Sequence, residues 1–252
     1  MRFLKKNNLY HIIIFLFCVN TYNAQTPIYP TLLLKSTGPT DTDYHFYSFE
    51  NQTLSLFQIT EESEYTKIWE YRFIEEKNVE IVSTLFGDIS GNGEKELILI
   101  IHVFGQTGEI YIFPTDNNQP TQKPEIYSLG AHNKGSKPSL AKLLRWDEDK
   151  DKEVIVSFSS PDRKVVVFDY NNNQLKPQEQ IAQEFLETTY GPIKIDILDI
   201  NKDGTDDIVI FSNSKNLEEY IVLSNATNQT KRIEQTNNFI DIATFKYKKN
   251  QH

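Results

Sequence analysis

The stretch Ile197-Leu198-Asp199-Ile200-Asn201-Lys202-Asp203-Gly204-Thr205-Asp206-Asp207-Ile208-Val209 decides how the chain is read. An apolar run enters a polar loop, and a second apolar run leaves it directly. Asp199, Asn201 and Asp203 stand at positions 1, 3 and 5 of the loop, Gly204 at 6 and Asp207 at 9. Alternate residues of a tight loop can turn their oxygens toward one centre, and Ca²⁺ takes six to eight oxygens at about 2.3–2.6 Å. Glycine at position 6 permits the sharp turn that returns position 9 to that centre. An EF-hand opens the same way but needs flanking helices and a bidentate glutamate at position 12. Position 12 is Ile210, inside a β-type run, so the EF-hand is excluded.

The same grammar occurs twice more. Leu85-Phe86-Gly87-Asp88 leads through Ser90, Asn92, Gly93 and Glu96 into Leu97-Ile98-Leu99. Leu144-Arg145-Trp146-Asp147 leads through Asp149, Asp151 and Glu153 into Val154-Ile155-Val156. Aligned on their leading aspartates, Asp88, Asp147 and Asp199, the repeats lie 59 and 52 positions apart, and the middle loop reads as two residues short, with Lys152 in place of glycine. Each interval has room for about four strands of ~5–6 residues with their turns, the content of one propeller blade. Candidate calcium ligands are therefore Asp199, Asn201, Asp203 and Asp207; Asp88, Ser90, Asn92 and Glu96; and Asp147, Asp149 and Asp151. The competing reading of each loop is a solvated acidic turn, because Asp, Asn and Gly favour turns with no metal present.

The body between and around the loops reads as strands. Short runs rich in Val, Ile, Phe and Tyr alternate with polar turns from Tyr44 to Phe245, among them Leu54–Gln58, Ile81–Phe86, Leu97–Val103, Leu140–Leu144, Val154–Phe158, Lys164–Phe168, Ile193–Leu198, Ile208–Phe211 and Phe239–Phe245. Runs of this length and spacing indicate an all-β architecture. Only Gln178–Thr188 and Glu61–Lys67 offer a helical turn or two. Trp69 and Trp146 are expected to pack between sheets rather than to serve as a ligand platform.

These loops resemble the FG-GAP (VCBS) repeat of integrin-α-like β-propellers, whose pattern is D-x-[DN]-x-D-G-x-x-D between two strands of a blade. Phe86-Gly87 resembles the family's Phe-Gly element; the companion Gly-Ala-Pro is not evident. The resemblance covers Ile81 to Phe211 and implies four-stranded antiparallel blades, Ca²⁺ in the loops, and adhesion or ligand recognition outside the cell. A ring of seven such blades exceeds this chain. About 228 residues follow the leader described next, enough for four blades at roughly 55 residues each. The chain is then either a small or open propeller or part of a larger one, and the run Phe239–Phe245, which looks like a strand entering a further acidic loop, favours the second.

Arg2, Lys5 and Lys6 precede the apolar run Ile12–Val19, and Ala24 follows it. That run is about half the ~20 residues a membrane-spanning helix needs. A basic start, a short apolar segment and a small residue together read as a secretory signal over residues 1–24, leaving 25–252 as the propeller region; Tyr22 is an unusual neighbour of the cleavage site. The one cysteine, Cys18, lies inside the leader, so no disulfide is expected to staple the remainder. Formal net charge is −9, and −12 without the leader's three cations. An acidic body repels phosphate backbones and anionic lipid, which argues against nucleic-acid or membrane-surface partners. No later segment is apolar and long enough to span a bilayer.

Enzyme signatures are lacking. The five histidines form no metal-ligating spacing, and the chain has no GxSxG and no glycine-rich phosphate loop. Asn51, Asn225 and Asn228 head N-x-[ST] sequons in turns between strands. The expectation is a secreted or cell-surface, calcium-binding, non-enzymatic module that recognises an extracellular protein or glycan. The alternatives are a secreted propeller enzyme or glycan-processing accessory, and a structural scaffold of the secretory pathway.

Overall fold

The computed structural model describes residues 30–35, 44–59, 65–74, 78–106, 108–116, 119–121, 123–130, 137–147, 149, 151–159, 161–200, 202, 204–214, 217–224 and 229–235. The expected leader, Asn201, Asp203, Asn225, Asn228 and the run Phe239–Phe245 lie outside them. Two units partition the chain, Met1–Phe73 and Ile74–His252.

The first unit holds one antiparallel meander, β1 (Pro30–Lys35), β2 (Tyr44–Glu50), β3 (Thr53–Ile59) and β4 (Tyr65–Arg72), paired in that order. Asn51 and Gln52, with φ of 50° and 59°, make the two-residue turn between β2 and β3. Two successive left-handed residues match the twist of a hairpin, and Asn adopts that conformation at low cost. Strand β3 alternates: Leu54 and Leu56 are buried, and the residues between them are partly exposed. Of the segment Glu61–Lys67, where a helical turn is expected, residues 61–64 lie outside the described residues, and Tyr65, Thr66 and Lys67 are strand, paired with Ile59, Gln58 and Phe57.

The second unit holds three more four-stranded meanders. They are β5 (Val79–Gly87), β6 (Glu96–Val103), β7 (Gly108–Phe113) and β10 (Glu125–Ser128); β11 (Pro138–Leu144), β12 (Glu153–Phe158), β13 (Lys164–Asn171) and β14 (Gln174–Ile181); and β15 (Tyr190–Leu198), β16 (Asp207–Ser214), β17 (Leu217–Ser224) and β18 (Gln229–Gln235). A small ribbon, β8 (Thr115–Asp116) with β9 (Gln119–Pro120), interrupts the first of them. One short helix, α1 (Gln183–Thr188), links the second to the third. The helix expected over Gln178–Thr188 is thus confined to its second half, since Gln178–Ile181 extend β14 alongside β13.

Alternation along the strands explains how the three sheets are held together. Side chains of a strand point to opposite faces with period two, so a strand buried on both faces reads as continuously apolar. Every residue of β12 is buried. Val154, Val156 and Phe158 join a core with Ile98, Ile100, Ile110 and Ile112 of the preceding sheet. Ile155 turns the other way, into a core with Trp146 from the loop of its own sheet and Ile193, Ile195, Ile208 and Ile210 of the following sheet. Strand β13 divides likewise, Val166 and Phe168 to one core and Val165 and Val167 to the other. Trp146 therefore packs between sheets as expected. The first strands also meet: Ala141 N–H donates to Ser83 Oγ at 2.9 Å, and Lys142 Nζ pairs with Asp196 Oδ1 at 2.9 Å.

Gly87, at the end of β5, lets the sheets approach closely, since a Cβ there would lie 2.5 Å from Leu143 Cδ1 and that side chain would have to shift. On the other side of β11, Arg163 donates to the carbonyls of Leu186 and Thr189 and to Ser212 Oγ, fixing the end of α1 against β16.

Ile100 is fully buried in the first core and Ile126 is half exposed. Ile100→Ala is expected to destabilise the protein by about 2–5 kcal/mol in denaturant melts. Ile126→Ala should stay within about 0.5 kcal/mol of the parent.

Candidate metal-binding loops

Each acidic loop joins the first strand of a sheet to the second, and one hydrogen bond defines all three. Ile89 N–H donates to Glu96 Oε2 at 2.9 Å, Trp146 N–H to Glu153 Oε2 at 2.7 Å, and Ile200 N–H to Asp207 Oδ2 at 2.7 Å. The acceptor is seven residues after the donor in every case, and all three acceptors are buried, at 5%, 1% and 2% exposure.

This common bond corrects the alignment made from the aspartates. Position 1 is Asp88, Arg145 and Asp199, at intervals of 57 and 54 residues, and position 9 is Glu96, Glu153 and Asp207. The middle loop is not shortened. Its Asp147, Asp149 and Asp151 occupy positions 3, 5 and 7 rather than 1, 3 and 5, with Arg145 where the other loops have aspartate. The signal for this register was present in the sequence: an acid followed by three apolar residues, Glu96-Leu-Ile-Leu, Glu153-Val-Ile-Val and Asp207-Ile-Val-Ile. Glu153 is the site residue that alignment on aspartates left out.

The outer two loops share further detail. Asp88 Oδ2 accepts the Gly93 N–H at 2.8 Å, and Asp199 Oδ2 accepts the Gly204 N–H at 3.2 Å. Gly93 and Gly204 have φ of 88° and 97°, the left-handed backbone that position 6 requires. In the first loop Ser90 Oγ donates to Glu96 Oε1 at 2.7 Å, so both oxygens of Glu96 are engaged within the protein. Asn92 Oδ1 closes a local turn with Glu94 N–H. Among the described residues, Asp207 Oδ1 in the third loop is buried without a hydrogen-bond partner, as is Asp88 Oδ1 in the first.

The middle loop concentrates charge. Asp147, Asp149 and Glu153 each offer a carboxylate oxygen, all within 4.8 Å of one another. Asp147 Oδ1 accepts from Asp149 N–H and Asp149 Oδ1 from Asp151 N–H. Burial pushes Glu153 up to about 7, with Asp147 and Asp149 adding repulsion. Partial desolvation and the neighbouring Asp147 and Asp151 push Asp149 up to about 6. Asp169 on β13 is raised too, by burial first and then by Asp147 and Asp151. Clustered oxygens that resist ionisation together suit a hard divalent cation.

Neighbouring loops are also joined. Lys152 N–H donates to the Asp88 carbonyl at 3.1 Å, and Asp206 N–H to the Arg145 carbonyl at 3.0 Å. In the corrected register both bonds run from position 8 of one loop to position 1 of the loop before it. Gly91 sits so close to the second loop that a Cβ would lie 2.7 Å from Asp151 Oδ1.

Of the sequons, Asn51 is exposed in its two-residue turn. Away from the loops, the first unit has an open cavity of about 380 Å³ whose lining includes Ser48, Thr53, Ser55, Phe57, Lys67 and Glu70. Among the described residues, no helix is long and apolar enough to cross a membrane.

Comparison with known proteins agrees with this architecture. A solved structure described as "Structure of Dos1 propeller" matches at a TM-score of 0.51 and 13% identity, over 83% of this chain and 48% of that one. The present chain thus spans about half the length of that structure, and the likeness is one of fold: these sheets are β-propeller blades. Residues 145–210 match the family model described as FG-GAP-like repeat, so the middle and third loops and the strands around them are similar to that repeat. The match begins at Arg145, the first position of the middle loop, and runs through the third loop to Ile210. No curated protein matches the chain in sequence.

Glu153 sets a pH dependence with a definite sign. A carboxyl whose folded-state value lies above its ordinary 4.5 holds its proton more tightly when folded. Its contribution is present below pH ~4.5 and is lost as pH rises through about 7. Glu153→Gln keeps an acceptor for Trp146 N–H and carries no titration. In chelator, melts of the parent should lose stability relative to Glu153→Gln between about pH 5 and 7.5; parallel pH profiles would refute the assignment.

Proposed function

We propose that the protein is a calcium-stabilised β-propeller that acts outside the cell as an interaction module, with Ca²⁺ a structural ion in its acidic loops. The observation that carries this reading is the third loop. It pairs an acidic 1-3-5-9 pattern with a buried Asp207 oxygen that has no hydrogen-bond partner among the described residues. An unpaired buried carboxylate oxygen is costly, and a cation at that point satisfies it. Asp199 and Asp207 would hold the ion together with Asn201 and Asp203; in the middle loop Asp147, Asp149 and Glu153 would do so. The first loop, with Glu96 saturated by Ser90 and Ile89, is the weakest of the three.

Export rests on the leader-like segment at residues 1–24, and glycan attachment at Asn51, Asn225 and Asn228 would accompany it in a eukaryotic source. The ligand is an extracellular protein or glycan. The open cavity of the first unit, with hydroxyl, carboxylate and aromatic groups side by side, offers it a surface. The acidic body disfavours nucleic acid. Binding rather than catalysis is the role assigned, since the paired carboxylates are accounted for by loop closure and cation coordination.

A ligand bound only by the folded state adds RT ln(1 + [L]/Kd), roughly 2.7 kcal/mol at a hundredfold excess over Kd. For a chain of this size that corresponds to a rise in Tm of about 5–10 °C. The expected result is such a rise in millimolar Ca²⁺ over chelator, a smaller rise in Mg²⁺, and loss of most of the calcium response in Asp199→Ala. A cooperative melt indifferent to Ca²⁺ would reduce the loops to ordinary turns.

A further inference from the structure

Two adjacent acids close the third loop, and they do different work. Asp207 lies inside it, its Oδ2 accepting the Ile200 N–H and its Oδ1 buried without a partner among the described residues. Asp206 turns outward to the preceding blade. Its N–H donates to the Arg145 carbonyl at 3.0 Å, and its Oδ2 accepts the Arg145 N–H at 2.8 Å. One peptide edge of the second loop is thereby gripped by both a main-chain and a side-chain group of the third. The equivalent contact between the first and second loops has only the main-chain half, because position 8 there is Lys152, which has no acceptor to offer.

We infer that Asp206 is a positioning residue for the cation site of the third loop, clamping the returning arm of that loop to Arg145 so that Asp207 is held at the site by the neighbouring blade. The inference rests on the calcium reading of the loop and adds who controls its affinity. Without the clamp, the arm bearing Asp207 is held by its pairing with Leu198 of β15 and by the Ile200 N–H, both within its own blade. A bound ion must then order it, and the cost appears as weaker binding. The clamp also links the ion to the second blade, so loading the third loop steadies the Arg145 peptide across the blade boundary.

The test is calcium titration calorimetry on the full chain at neutral pH, with the parent, Asp199→Ala, Asp206→Ala and Asp206→Asn. The component that Asp199→Ala removes belongs to the third loop. Asp206→Ala is expected to weaken that component about tenfold, the scale of one lost charge-assisted hydrogen bond, with little change in the other components. Asp206→Asn keeps an acceptor for Arg145 N–H and should stay within about threefold of the parent. Equal affinity in Asp206→Ala and the parent overturns the clamp while leaving the calcium reading intact. Asn binding as weakly as Ala overturns it as well, since net charge alone would then be responsible. A parent with no component removed by Asp199→Ala overturns the calcium reading and the clamp together. Amide hydrogen exchange on the parent supplies a measurement that does not depend on a variant folding. Ca²⁺ should slow exchange at the Arg145 amide at least tenfold, an effect absent in Asp199→Ala, and unchanged exchange overturns the inference.

Discussion

A carboxylate placed at the first residue of each second strand, accepting a main-chain N–H from seven residues earlier, is the constraint on which each acidic loop depends. A nine-residue polar segment between two apolar strands has many ways to lie. Pinning its second residue to its ninth closes it into one compact loop and starts both strands in register. Asp207 and the longer Glu96 and Glu153 make this bond at nearly the same distance, 2.7–2.9 Å. The bond lies where the strand is already buried, so its acceptor carries a desolvation cost, visible in the raised affinity of Glu96 and Glu153 for protons. The arrangement thus stores charge at low dielectric beside oxygens of positions 1, 3 and 5, and a cation can offset what the carboxylate loses on burial.

The loops could not be held in a row without the packing beneath them. Strands β6 and β12 are apolar along almost their whole length, and β12 supplies two opposite cores at once. The blades are consequently stacked with a close fit, close enough that Gly87 and Gly91 cannot carry a Cβ without meeting Leu143 or Asp151. At this proximity the main chain of one loop comes within hydrogen-bonding distance of the next, as Lys152 does with Asp88 and Asp206 with Arg145.

Much of this was legible in the sequence, for physical reasons. The strand runs stand out because β-branched residues cluster in them and polar turns bound them, and the central strands betray two-sided burial by failing to alternate. The third loop was read in register because it keeps an acid or amide at 1, 3, 5 and 9. The middle loop was misaligned because aspartate identity is a weak guide: Asp147 looks like Asp88, yet Arg145 is its structural counterpart, and only the buried position 9 is held constant by folding. The half of Gln178–Thr188 that became strand has polar residues, Gln178, Glu179 and Gln180, with no strong local preference, and cross-strand pairing with Val165–Val167 settled its conformation. Arg163 was not foreseeable, since its partners Leu186, Thr189 and Ser212 lie 23 to 49 residues away.

The division of β12 between two cores bears on how the second unit folds. A strand whose odd and even side chains serve different neighbours has no stable state with only one of them present, since half of its apolar surface would face water. The second of these blades acts as the interior of a short one-dimensional array, with its stability divided between an intrinsic part and two interfaces. Loss of a neighbour on either side strips the same strand, and the flanking sheet with it. The blades therefore unravel in concert rather than one by one, and a chain interrupted between Glu153 and Ile210 would forfeit sheets on both sides of the cut.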